Sequence, residues 1–263
     1  MRIICPVKRV PDTAATKHVD PDDHTVDRDR SDPVLNANDE WAIEEALQIA
    51  ERTPGTQIIA LCMGPDEAGS TVRKALSYGL DGAIQVTDPA LAGSDAAATA
   101  RVLAGALAGE DYDLIVMGNQ SSDARTMLVP AMLAAHLGVP ALTFVRDLQI
   151  DGDVVTAQRE TPAGYQVVRA RRPVVVSVVE AINEPRYPTF KGIMAAKKKT
   201  IDVRDLAAID VPANRVGLDG SATAVVDVVP RPPKQAGRVV TDDGSGQLGA
   251  RALADWLVEQ KIL

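Results

Sequence analysis

Leu114-Ile115-Val116-Met117-Gly118-Asn119-Gln120-Ser121-Ser122-Asp123-Ala124-Arg125-Thr126 passes from an apolar run, through a glycine, into amides, hydroxyls and charges. A wholly apolar run this short fits a strand buried on both faces, which is the habit of a parallel sheet. Open parallel sheets bind ligands beyond the carboxyl ends of their strands, so loop 118–126 stands where a ligand would. Its backbone N–H groups, its hydroxyls and the start of the helix after it suit a phosphate. By spacing alone, an ordinary capped loop is an equal alternative.

The same unit recurs outward from that stretch. Arg2–Val7, Gln57–Met63 and Ala83–Val86 read as strands. Between them lie helical patterns: Ala42, Ile43, Ala46, Leu47 and Ile49 within Asn38–Glu51, capped by Asn36 or Asn38, and then Ala68, Val72, Ala75 and Leu76 on one face. Ser94 is expected to cap a helix through Leu107, and Leu128, Ala131, Met132 and Ala135 form the stripe of a later one. Residues 18–35 read as a hairpin excursion or long loop. After about residue 145, Leu148–Ile150, Val154–Arg159, Gln166–Ala170 and Val174–Val179 read as strands joined by tight turns, hence antiparallel additions. The fold class is α/β: a doubly wound, mostly parallel sheet with helices on both faces, antiparallel additions and an extended C-terminal arm. The expected division is 1–201 for the α/β domain and 202–263 for the arm, which has few periodic apolar residues before a last helix at about Gln247–Gln260 with Leu253, Trp256 and Leu257 inward.

Composition narrows the function. Net charge −8, pI near 5.0 and 3% aromatic residues disfavour a nucleic-acid partner. The apolar runs are too short to cross a bilayer, and the N-terminus lacks a signal-peptide layout, so the reading is a freely soluble, cytoplasmic bacterial protein with no membrane insertion. Cys5 and Cys62 read as buried reduced thiols, with a redox pair a poor second, and His18, His24 and His136 suggest no metal site. Gly244-Ser245-Gly246-Gln247-Leu248-Gly249 matches the dinucleotide fingerprint, but only 14 residues follow Gly249, too few for the crossover that the fingerprint serves. No hydrolytic motif appears, and no catalytic residue is assigned.

The stretch Asn183-Glu184-Pro185-Arg186-Tyr187-Pro188-Thr189-Phe190-Lys191-Gly192-Ile193-Met194-Ala195-Ala196-Lys197-Lys198-Lys199 closely resembles the signature of electron transfer flavoprotein beta subunits. Val7-Lys8-Arg9-Val10-Pro11-Asp12, Leu35-Asn36 with the Ala-Ile-Glu-Glu-Ala helix, Gly118-x-Gln120 with Ser122-Asp123, and Pro232-Pro233 with Gly237 resemble the family too, so the likeness spans nearly the whole chain.

That resemblance implies an adenine-nucleotide-binding domain, a partner-recognition loop at 183–199, and an arm that wraps an alpha subunit. The implied function is non-catalytic: electrons from acyl-CoA and related dehydrogenases of fatty acid oxidation reach an FAD held mainly by the alpha subunit, then pass to a membrane quinone oxidoreductase. The beta subunit's own AMP would contact Pro6, Asn36, Ala37, Asn38, Asp39, Met63, Gly118, Asn119, Gln120, Ser121, Ser122, Asp123, Ala124, Arg125, Thr126, Met127, Leu128 and Val129; in a bifurcating type a second FAD takes its place. Thr13 stands where some members set a tyrosine against the flavin, and Glu160 matches a glutamate facing the alpha subunit. The family often has Asp-Gly-Asp or Asp-Asp-Asp where this chain reads Asp123-Ala124-Arg125. Phe190, with Tyr187, Ile193 and Met194, would dock the dehydrogenases. Against this stands the reading that residues 190, 193 and 194 form an inward helical face. An ATP-pyrophosphatase-like or adenylating enzyme and a stress-type nucleotide-sensing module are readings of other classes; the first lacks a triphosphate loop and the second leaves the Tyr187 signature unused.

Overall fold

The computed structural model describes residues 1–28, 30–229, 232, 237 and 239–263. Two compact units divide at 226/227. In the first, β1 (Arg2–Pro6) leads to an excursion containing β2 (Arg9–Pro11), β3 (His18–Val19), β4 (Val26–Asp27) and β5 (Pro33–Leu35), where β3 and β4 form the expected hairpin and β2 pairs with β5. Then follow α1 (Ala37–Arg52), β6 (Gln57–Met63), α2 (Gly69–Ser77), β7 (Gly82–Val86), α3 (Ala96–Ala106), β8 (Leu114–Gly118) and α4 (Val129–Leu137). The chain continues through β9 (Ala141–Asp151), β10 (Val154–Thr161), β11 (Gly164–Arg171), β12 (Val174–Val178), α5 (Phe190–Ala196), β13 (Ile201–Arg204) and α6 (Gly217–Gly220). In the second unit lies α7 (Gln247–Glu259).

A nine-stranded sheet runs in the order β11-β10-β9-β12-β8-β1-β6-β7-β13. From β9 to β13 the neighbours are parallel, and β10 and β11 add an antiparallel meander at one edge. Successive side chains of a strand face opposite ways. On β1, Ile3 and Cys5 therefore enter the core beneath α1 and α2, while Ile4 enters the core beneath α3 and α4. The fold is the doubly wound α/β class expected from the alternation.

Four local expectations are corrected. Asp95, not Ser94, caps α3 by accepting from the Ala98 N–H at 2.8 Å. The inward stripe of α4 is Pro130, Leu133 and Ala134, while Leu128, Ala131 and Ala135 face outward and Met132 is half-buried. Both stripes are apolar, so periodicity alone had no means of choosing. Nor does the stretch from Asp202 begin as an arm without a core: β13 extends the sheet, and Leu206, Ile209, Val211 and Val216 are buried under its α3 face. The apolar face of α7 forms as a helix, but Leu253 and Trp256 are exposed, not inward, and none of the described residues of 227–263 is buried. Of the pair Pro232-Pro233, the second residue lies outside the described residues.

Gly105 shows how closely segment 206–216 packs. A Cβ there would stand 2.6 Å from Val211 Cγ2 and 3.1 Å from the Ile209 carbonyl oxygen. In an exposed helix, Gly→Ala gains about 1 kcal/mol. Here Gly105→Ala is expected to lose about 1–3 kcal/mol instead, as overpacking does, read as a lower urea midpoint.

Candidate functional site

From β1 the chain winds outward through β6 and β7, then crosses back to place β8, β12 and β9 on the other side. The crevice between the ends of β1 and β8 is therefore the topological switch point, where doubly wound sheets hold their ligands. Pro6 ends β1 there, Gly118 ends β8, and Met63 ends β6 one strand further on.

The first residues of α1 close the crevice. Asn36 occupies the N-cap position but its side chain does not cap the helix. Its Nδ2 donates to Asp39 Oδ1 and to the Gln120 carbonyl, each at 2.9 Å, and its Oδ1 accepts from the Ser122 N–H at 3.0 Å. Asp39 Oδ2 accepts from the Lys8 N–H at 2.8 Å, so one buried carboxylate joins the end of β1 to the helix. The approach of α1 to β8 requires glycine at 118, because a Cβ there would lie 2.6 Å from Asp39 Oδ1 and 2.8 Å from the Asn38 backbone. Ala37, the first residue of α1, is exposed and Asn38 is half-buried.

Charge is concentrated on loop 121–123. The fully buried Asp123 carboxylate pairs with Lys8 Nζ at 2.9 Å and with Arg28 at 2.8 Å. Burial alone would raise its pKa, but the two cations hold it well below the usual carboxylate range. Burial lowers Lys8 against the opposing pull of Asp123. Among the described residues no cation pairs with Asp39, and burial pushes its carboxyl up to about 7 against the weaker pull of the Asn36 and Lys8 hydrogen bonds and the Lys8 charge. Lys8 and Arg28 are functional neighbours that the sequence reading missed as site residues. Lys8 directly follows the first strand and could have been found; Arg28 arrives from the hairpin excursion and carries no local signal.

Asn119 Oδ1, Gln120 Oε1 and Ser122 Oγ are buried without a hydrogen-bond partner. Buried polar atoms are nearly always paired, so these three atoms are open to a polar ligand. Beyond them the loop exposes Ala124, Arg125, Thr126, Met127 and Leu128, with φ of 50° at Arg125 and 55° at Met127, before Val129 opens α4. Left-handed backbone at non-glycine residues costs free energy and gathers at binding sites. The first-turn N–H groups of α4 lack intrahelical partners by construction.

The remaining expected residues lie elsewhere. Thr13 is exposed in the turn after β2, next to an open depression of about 780 Å³ lined by Arg9, Asp12, His18, Arg30 and Ser31 among others. Glu160 is on β10, 3.8 Å from Arg146. Tyr187 and Phe190 are 92% and 79% exposed, and Ile193 and Met194 are 43% and 44% exposed. Residues 190, 193 and 194 do share a helical face, but it points to solvent, which overturns the core alternative for Phe190. Cys5 and Cys62 are buried free thiols, both shifted upward by burial, Cys62 to about 12. The glycine fingerprint at 244–249 ends inside α7, where Asp242 accepts from the N–H groups of Gly244, Gly246 and Gly249. Among the described residues, no helix is long and apolar enough to cross a membrane.

The fold is a doubly wound α/β sheet, a class that takes its ligands at the switch point, where loop 118–126 lies. Residues 23–209 match the electron transfer flavoprotein domain. The electron transfer flavoprotein subunit beta of Mycobacterium tuberculosis strain H37Rv is 42% identical over 99% of both chains, and that of Megasphaera elsdenii is 38% identical over the full length of both. A third relative, the caffeyl-CoA reductase-Etf complex subunit CarD of Acetobacterium woodii, is 33% identical over the full length of both. The chain belongs to the electron transfer flavoprotein beta-subunit family.

The environment of Asp39 yields a pH test. Its folded pKa is raised from 3.8 to about 7, so between those values the native chain binds a proton that the unfolded chain does not. Its contribution to stability therefore falls as pH rises through that window, by up to about 1.4 kcal/mol per pH unit. Asp39→Asn cannot ionise, and its stability relative to wild type is expected to improve steadily from pH 4.5 to pH 7.5 in urea titrations.

Proposed function

We propose that this chain is the beta half of a heterodimeric electron carrier, binding AMP in its own crevice and helping to enclose one FAD held mainly by an alpha subunit. The observation that carries the reading is the group of orphaned atoms on Asn119, Gln120 and Ser122. Amide oxygens accept from the hydroxyls or amine of a nucleoside, a serine hydroxyl donates to phosphate, and the start of α4 favours a negative charge. At this loop Lys8 and Arg28 are both paired with Asp123, which leaves hydroxyls and N–H groups suited to one phosphate rather than to a triphosphate and its metal. That weighs against the ATP-pyrophosphatase-like alternative. Bound FAD would supply the electron storage; the residues of this chain position and enclose.

The turn at Thr13 and the depression beside it are the face we assign to the flavin, and Glu160 with the arm after Val226 to the alpha subunit. Acyl-CoA and related dehydrogenases are the proposed donors, and a membrane quinone oxidoreductase the proposed acceptor. A CoA-linked reductase complex among the relatives supports the donor class. Purified with its alpha subunit, the protein should be yellow and release one FAD and one AMP on acid treatment, identified by mass spectrometry. Two FAD would indicate the bifurcating type, and no adenine nucleotide beyond the single FAD would sink the crevice assignment.

Phe190 and Tyr187 are the proposed dehydrogenase anchors. An isolated aromatic this exposed contributes little to the fold, whereas a docking hot spot costs about 2 kcal/mol or more when truncated. Phe190→Ala should therefore weaken dehydrogenase-coupled flavin reduction to that degree and leave the melting temperature nearly unchanged.

A further inference from the structure

Tyr187 and Phe190 project from a segment that is fastened to the body of the protein on both sides. In front, Arg186 lays its guanidinium fork across α1. Its Nε donates to Glu44 Oε2 at 2.7 Å, its Nη2 to Glu44 Oε1 at 2.8 Å, and its Nη1 to Glu51 Oε1 at 2.6 Å. The Arg186 N–H adds a bond to Glu44 Oε2 at 3.2 Å. Asn183 Nδ2 donates to the Trp41 carbonyl at 3.1 Å and to Glu45 Oε2 at 3.2 Å. Glu44 and Glu51 are two turns apart, so one face of α1 holds the whole fork. Behind, Arg73 Nη1 donates to the Ala196 carbonyl at 2.8 Å, Lys199 Nζ donates to the Leu80 carbonyl, and Thr189 caps α5 through the Gly192 N–H at 3.0 Å.

Glu44 is only 4% exposed. Burial alone would raise its pKa, but the bonds from Arg186 hold it below its ordinary value, so it is charged at neutral pH. A planar bidentate pair fixes direction as well as distance, which a lysine would not do. Ion pairs with one solvent-exposed partner add little to global stability. What this one determines is the geometry of the residue immediately before Tyr187. Two aromatic side chains left 92% and 79% exposed would, on a loose loop, fold back on the nearest apolar surface. Held outward, they lose less conformational freedom when a partner receives them.

We propose that Glu44 and Glu51 are positioning residues for partner docking: through Arg186 they hold the Tyr187–Phe190 segment in the conformation a dehydrogenase receives. This rests on the docking role proposed above for that segment. Neither carboxylate takes part in electron transfer.

The test uses the complete heterodimer and an acyl-CoA dehydrogenase with its acyl-CoA. Glu44→Gln keeps the shape and removes the charge, and Glu51→Gln, on an exposed carboxylate, guards against the first variant failing to fold. The expected result is a KM for the carrier raised about fivefold or more in Glu44→Gln and less in Glu51→Gln, with kcat unchanged. Amide exchange across 184–194 should quicken in both, and the double variant Glu44→Gln with Arg186→Gln should be no worse than the worse single one, since the pair acts as a unit. Faster exchange with an unchanged KM would reduce the clamp to a structural one and overturn the proposal, as would unchanged exchange. If wild-type carrier is not reduced at all, the docking role itself falls and takes this one with it. Exchange that still quickens in the variants would then show that the docking reading failed while the clamp stood.

Discussion

Where α1 meets the end of β8, the two backbones come so close that position 118 has no room for a side chain. That approach buries the Asn36 amide and the Asp39 carboxylate, and buried polar groups must be satisfied or they destabilise the fold. Each finds its partners on a different piece of chain: the Lys8 N–H after β1, and the Gln120 carbonyl and Ser122 N–H after β8. One contact thereby sets the end of the central strand, the start of the first helix and the shape of the candidate nucleotide loop. Displacing any of the three would strand a charge or an amide in a place water does not reach.

The same helix has a second office at its other end. Its first turn shapes the crevice, and Glu44 and Glu51 further along receive Arg186 from the segment that displays Tyr187 and Phe190. A helix rises about 1.5 Å per residue, so the two regions are held some 10–20 Å apart by a rigid rod. The candidate ligand site and the candidate docking site thus share one foundation, and α1 is held to the sheet by Ala42, Ile43, Ala46 and Ile49.

Acidic groups in this protein behave according to what faces them. Asp123 meets Lys8 and Arg28 and stays ionised although its side chain is fully buried. Asp39 accepts from the same lysine's backbone N–H and from the Asn36 amide, both neutral donors, and is shifted the other way. Glu44 is buried like Asp39 but meets a guanidinium, and it stays charged. Burial alone does not determine charge; the partner does.

The sequence by itself was enough for the alternation of strand and helix and for the parallel core, because each rests on short-range periodicity; it left residues 18–35 as a hairpin or a long loop, and loop 118–126 as a ligand loop or an ordinary capped one. The signature at 183–199 was legible because its residues are adjacent in the chain. The tertiary structure alone decided which stripe of α4 turns inward, since two stripes were equally apolar, and that Phe190 faces solvent, since a helical face has no intrinsic direction. It alone brought Arg28 across 95 positions to Asp123, and Arg186 across 142 to Glu44. It also drew residues 201–216 onto the sheet, although their apolar side chains have no regular period: Leu206, Ile209, Val211 and Val216 are buried by a surface that α3 and the sheet supply. Periodicity reports what a segment does to itself, whereas burial and ion pairing depend on what the rest of the chain places against it.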